Sequence, residues 1–167
     1  MLAGAQSLMN VDAELVGDPL EKAAFLATEW LLKGTKDAQQ FEGRLAGTPA
    51  YVTHVYKHHF SSDLKRMSVV AKVTHSRYSG TYMLTKGAPE VLKPLLADCP
   101  KDFDAAYRRH AAQGSRVIAL AAKRLGGGIS EAELKRMPRS EVCKLLKDHA
   151  GHWLARFASW AGAVRSL

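Results

Sequence analysis

Cysteine is scarce: the 167 residues include two, Cys99 and Cys143, too few for a disulfide framework and at no spacing that suits a metal. The sequence therefore predicts reduced thiols in a cytosol-facing protein. No run approaches the ~18–20 consecutive apolar residues of a membrane-spanning helix. The first ten residues lack a basic start and a long apolar core, so they do not read as a signal peptide. The common glycine-rich phosphate loops are missing too, since neither Gly-x-x-x-x-Gly-Lys-Ser/Thr nor Gly-x-Gly-x-x-Gly after a strand occurs. Leu32-Lys33-Gly34-Thr35-Lys36 lacks the first glycine and the order of the former. Gly126-Gly127-Gly128 precedes only a weak helix and reads as a turn. Internal repeats and low-complexity segments are absent.

What is there is ordinary globular material, 47% hydrophobic and 24% charged, enough for one domain with a proper core. The formal net charge is +8. A nucleic-acid or anionic-membrane module draws on such charge. Here the cations are dispersed over Lys57, Lys65-Arg66, Arg108-Arg109, Lys123-Arg124 and Lys135-Arg136, with no long run and no recognition motif. The sequence therefore disfavours a nucleic-acid partner, whose mark would be a steeply salt-dependent affinity.

Taken in order, residues 11–17 read as a short strand. Asp18 then caps a helix with Pro19 at its first position and Glu21 at its third. Leu20, Ala23, Ala24, Ala27, Trp30 and Leu31 carry its apolar face to about Lys33. Residues 36–50 show no period and read as a surface loop. Residues 51–60, 65–74 and 81–85 read as strands, with a turn near Ser79-Gly80. Helices follow over 88–97 and 102–113, a buried strand over 115–123, and a short helix over 130–137 capped by Ser130. Residues 148–167 place Leu154, Phe157, Ala158, Ala161 and Val164 at helical spacing. This predicts an α+β fold, a mainly antiparallel sheet flanked by helices, with a domain over 1–147 and a helical tail over 148–167.

The chemistry concentrates between residues 58 and 90. Phe60-Ser61-Ser62-Asp63-Leu64-Lys65-Arg66-Met67-Ser68 and Lys86-Gly87-Ala88-Pro89-Glu90 flank a β-rich segment. A hairpin there carries one ring and two ammonium groups toward a common pocket. A flat ring with fixed cations suits an adenine nucleotide, which asks for stacking at the base and positive charge at the phosphates. Each residue has a blander reading alone. Phe60 is then a core aromatic, Lys65 and Arg116 solvated charges, and Glu21 a carboxylate favoured by a helix N-terminus. His54 and His58 fall on one strand face, but no carboxylate or thiol completes a metal set. Ser-His-Asp catalysis lacks a nucleophile elbow.

Four ordered motifs resemble the nucleotide-binding (N) domain of P-type ATPases. They are Gly17-Asp18-Pro19-Leu20-Glu21-Lys22-Ala23, the Phe60–Ser68 segment, Lys86-Gly87-Ala88-Pro89-Glu90, and Gly114-Ser115-Arg116-Val117 running on to Leu120. The first two are most similar to the type V pumps, subgroup A, of the endoplasmic reticulum, which handle transmembrane segments and are often labelled cation-transporting ATPases. The resemblance implies that Phe60 stacks on adenine and Glu21 meets the amino edge of the base. It also implies that Lys65 and Lys86 line the pocket, Gly87 leaves room beside the strand end, and Arg116 meets the phosphates. ATP is then the ligand, with Mg²⁺ held mainly by the parent's phosphorylation domain. The other partners are that domain and the actuator domain, and the membrane is reached only through the parent, on its cytosolic face. The Asp-Lys-Thr-Gly-Thr, Thr-Gly-Glu and Gly-Asp-Gly-x-Asn-Asp segments of such enzymes are absent. The chain is therefore expected to be a piece of a larger enzyme, binding ATP without hydrolysing it. The alternative is a module of the same fold that has lost nucleotide and binds a protein or a surface.

Overall fold

Val69, Ala71 and Val73 alternate with Val70 and Lys72, the period of a strand that is covered on both faces over part of its length. A computed structural model describes residues 7–12, 14–34, 39–96, 99–126, 130–138, 141 and 154–159. The strand containing Val69 is the middle of a seven-stranded antiparallel sheet among them. The sheet consists of β3 (Leu31–Gly34), β4 (Gln39–Leu45), β5 (Thr48–Ser61), β6 (Arg66–His75), β7 (Gly80–Gly87), β8 (Val117–Arg124) and β9 (Leu154–Ser159). Each strand pairs with its neighbours in sequence, in the order β3-β4-β5-β6-β7-β8-β9. A separate hairpin joins β1 (Met9–Val11) to β2 (Glu14–Val16), and α1 (Pro19–Leu26) follows it. The mainly antiparallel α+β architecture is the one expected from the sequence.

Two apolar layers cover the sheet. On one face Val69, Ala71, Val52 and Phe41 meet Leu8 of the N-terminal segment and Phe25 of α1. On the other, Val70, Met83, Ala119 and Ala121 meet three helical segments. These are α2 (Pro89–Leu92) with the 3₁₀ turn Lys93–Leu95, α3 (Phe103–Ala112) and α4 (Glu131–Arg136). The end of the sheet away from the site is tied by His75. Its Nε2 pairs with the Leu45 carbonyl at 3.1 Å, while Nδ1 accepts the N–H groups of Arg77 and Tyr78.

Three expectations about secondary structure are corrected. The first helix ends at Leu26, and Trp30 and Leu31 leave it, Leu31 opening β3. The backbone and hydroxyl of Thr28 both donate to the Phe25 carbonyl, closing the helix with a tight turn. Residues 39–50, read as loop, form β4 and the start of β5, turned by Ala46 and Gly47 at φ 50° and 78°, the left-handed pair of a two-residue hairpin. Within the tail, residues 154–159 form β9 on β8, not a helix. The remainder of that predicted helix and Cys143 lie outside the described residues.

His54 and His58 do not share a face. A bulge between His54 and Tyr56 shifts the register, so that His54 pairs with Ala71 and His58 with Ser68. Because those partners are three residues apart on β6, they point to opposite sides of the sheet.

Candidate functional site

The site is built from the ends of β5 and β7, the starts of β6 and β8, and the first turn of α1. Register brings the strand ends together: Ser61 faces Arg66, Arg66 faces Gly87, and Gly87 faces Ala119. Phe60 precedes the first of these by one residue. Lys65 lies in the turn joining β5 to β6, and Arg116 immediately precedes β8.

Glu21 lies in the first turn of α1. Asp18 Oδ1 accepts the Glu21 N–H at 3.1 Å, the cap expected from the sequence. The Glu21 side chain turns toward the sheet, where Lys86 Nζ donates to its Oε1 at 2.6 Å. This ion pair is shielded from water, with 14% of the lysine and 5% of the glutamate side chain exposed. Lys86 faces Met67 on β6 and Leu120 on β8, so the three cross-strand neighbours line one row of the sheet beneath α1. The glutamate has further donors in Ser7, whose N–H and hydroxyl reach Oε2 at 2.8 and 2.6 Å.

Lys65 takes a left-handed backbone, φ 44°, which for a non-glycine residue is uncommon and costs of order 1 kcal/mol. Its carbonyl accepts the Ala88 N–H at 3.1 Å, tying the turn to the start of α2. Gly87 makes that approach possible. A Cβ there would lie 2.7 Å from the Lys65 oxygen and 2.7 Å from Arg66 Cβ. The space that Gly87 leaves is therefore filled by the start of β6, whereas the resemblance implied room for a ligand. Phe60 is 59% exposed, whereas Phe41 and Phe103 are fully covered in the two cores.

Of the six residues singled out by sequence, the structure joins Glu21 to Lys86 by an ion pair and Lys65 to Gly87 by close packing. Phe60 and Arg116 share their end of the sheet without a bond to that pair among the described residues. Sequence reasoning missed Ser7. It has no local signal, because its partner lies 14 residues away and across a hairpin.

The sequence profile of the P-type ATPase cytoplasmic domain N matches residues 5–100, and the chain belongs to that family. It is 39% identical over 142 residues to the probable manganese-transporting ATPase PDR2 of Arabidopsis thaliana, covering 85% of this chain and 11% of that protein. Identity to the endoplasmic reticulum transmembrane helix translocase of Saccharomyces cerevisiae is 32% over 143 residues, again 85% of this chain and 11% of the relative. To the polyamine-transporting ATPase 13A3 of Macaca fascicularis it is 30% over 171 residues, 84% and 14% respectively. The relatives are pumps of the type V group, as the motifs at 17–23 and 60–68 resemble. The chain thus spans roughly a tenth of the length of these curated relatives.

Proposed function

We propose that this chain holds ATP for a P-type pump of the type V group and presents it to an aspartate on a separate phosphorylation domain. The observation that carries the reading is the Phe60 ring, left unburied at the strand end that also gathers Lys65, Lys86 and Arg116. A base stacked on such a ring gains about 1–3 kcal/mol on comparable platforms. Glu21 accepts the amino group of adenine, Lys65 and Lys86 flank the nucleotide, and Gly87 holds the Lys65 turn against the strand end. Arg116 offers the phosphates a planar fork that a lysine does not. Mg²⁺ enters with the triphosphate. Among the described residues no three acidic, histidine or cysteine side chains gather to hold a metal. In this reading residues 1–147 are the nucleotide-binding unit and 148–167 a tail that adds β9 to the sheet. The parent protein places the domain on the cytosolic face of a membrane, that of the endoplasmic reticulum by the translocase likeness. The phosphorylation and actuator domains are its partners. Phosphoryl transfer is largely positioning and charge neutralisation, and this chain positions the adenosine end. Alone, it releases no phosphate from ATP.

Titration with ATP, followed by amide chemical shifts, tests the proposal. Shifts are expected around Phe60, Lys86 and Arg116, and their absence at millimolar ATP overturns it. Phe60→Ala is expected to weaken ATP binding about tenfold with an unchanged thermal transition, since the ring it removes is exposed.

A further inference from the structure

Ser7 controls what Glu21 has left to offer. The Ser7 hydroxyl accepts the Asp18 N–H at 3.0 Å, and that N–H can only donate, so the single hydroxyl proton is directed to Glu21 Oε2 at 2.6 Å. The Ser7 N–H donates to the same oxygen at 2.8 Å. A carboxylate has about four lone-pair positions, two on each oxygen. Ser7 fills both on Oε2, and Lys86 takes one on Oε1, 2.6 Å away. One acceptor position remains among the described residues, on the oxygen beside Lys86.

The segment that carries Ser7 is itself well seated. Leu8 is fully buried, and the Gln39 amide donates to its carbonyl. A Cβ at Gly17 would lie 2.8 Å from the Ser7 carbonyl oxygen and 3.0 Å from Leu8 Cα, so the chain crosses directly over that glycine. A terminal carboxylate torsion is soft by itself, and this arrangement stiffens it from outside α1.

We propose that Ser7 is a positioning residue for base selection: it leaves Glu21 one fixed acceptor and thereby favours purines that carry an amino group at position six. The inference rests on the nucleotide reading given above. Adenine presents a donor at that position. Hypoxanthine presents a carbonyl oxygen, which sets lone pair against lone pair. Without the hydroxyl, Oε2 regains an open position and the carboxylate is free to turn both oxygens toward Lys86. The acceptor is then no longer fixed.

The test measures the affinities of the whole chain for ATP and inosine triphosphate by calorimetry, in the natural protein, Ser7→Ala and Ser7→Thr. The natural protein is expected to favour ATP by about tenfold or more, the factor for a hydrogen bond to a charged acceptor. In Ser7→Ala, which keeps the backbone donor, the preference falls to about threefold or less, while inosine triphosphate affinity changes by less than about twofold. Ser7→Thr restores the hydroxyl and the preference. An unchanged preference in Ser7→Ala overturns the inference, as does a parallel loss for both nucleotides, which marks a merely structural role. Equal binding of both by the natural protein overturns base selection by Glu21 and leaves the pocket standing. Binding of neither overturns the nucleotide reading together with this one.

Discussion

Lys86 and Glu21 show how much one side chain can depend on another. Removing one partner of a shielded ion pair leaves an uncompensated charge, which costs about 3–5 kcal/mol when burial is deep. Lys86→Met is therefore expected to lower unfolding stability by about 3 kcal/mol, read from the urea midpoint. Adding Glu21→Gln, which removes the stranded charge, is expected to recover a good part of that loss. Glu21, Phe60, Lys65 and Lys86 were legible as a group because each lies in a short motif whose spacing is local. Their pairing was not, since the 65-residue separation of Glu21 and Lys86 is closed only by the folded sheet. Ser7 shows the same limit from the other side, with no motif to mark it. The histidines failed for a different reason: alternation assumes an unbroken ladder, and the bulge after His54 turns the side chains over as far as His58, where the register shifts again.

At the scale of the element, the short helices follow their caps. Ser130 and Glu133 form a reciprocal box at the start of α4, as the serine predicted. Hydrogen bonds from the Ser130 hydroxyl and then from its backbone N–H hold the Glu133 carboxyl below its ordinary range. A carboxyl lowered in the folded state stabilises it at pH above the unfolded value, and that contribution is lost as pH falls through the lowered one. The amide resonances of Ser130 and Glu133 are therefore expected to move together on acidification, at a pH below that of an unstructured glutamate, with neutral pH leaving them fixed. The longer elements were legible where apolar alternation was clean, as in β6. They were not where tertiary contacts decide. Gly43 looks like a loop residue, yet a Cβ there would lie 2.5 Å from the Trp30 ring, so the glycine exists to let that ring lie on β4. The same contact draws Trp30 out of a helical pattern that its spacing alone supports. Gln39, fully buried through its bond to the Leu8 carbonyl, hides the inward face of β4 behind a polar side chain.

The whole molecule carries a formal net charge of +8, dispersed enough that no patch stands out in the sequence. Dispersed charge still raises the local concentration of a polyanion and is screened over ~10 Å at 0.1 M salt. ATP affinity is therefore expected to fall several-fold between about 50 and 500 mM salt, while adenosine binding, measured alongside, stays nearly constant. The fold class was legible at this scale because five strands, β3 to β7, run consecutively before α2 and α3. That strand order carries a consequence for how the chain is made. From β3 to β7 each strand after the first pairs with the one just before it, so none of these five must wait for a distant partner to be synthesised. Contacts between sequence neighbours cost little loop-closure entropy and favour rapid folding. On a growing polypeptide, β4 can dock as β5 emerges, and β6 and β7 add in turn, each addition covering one edge of the sheet and exposing a new one in its place. In relatives some ten times longer, such an order is a way for one domain to finish before its neighbours begin.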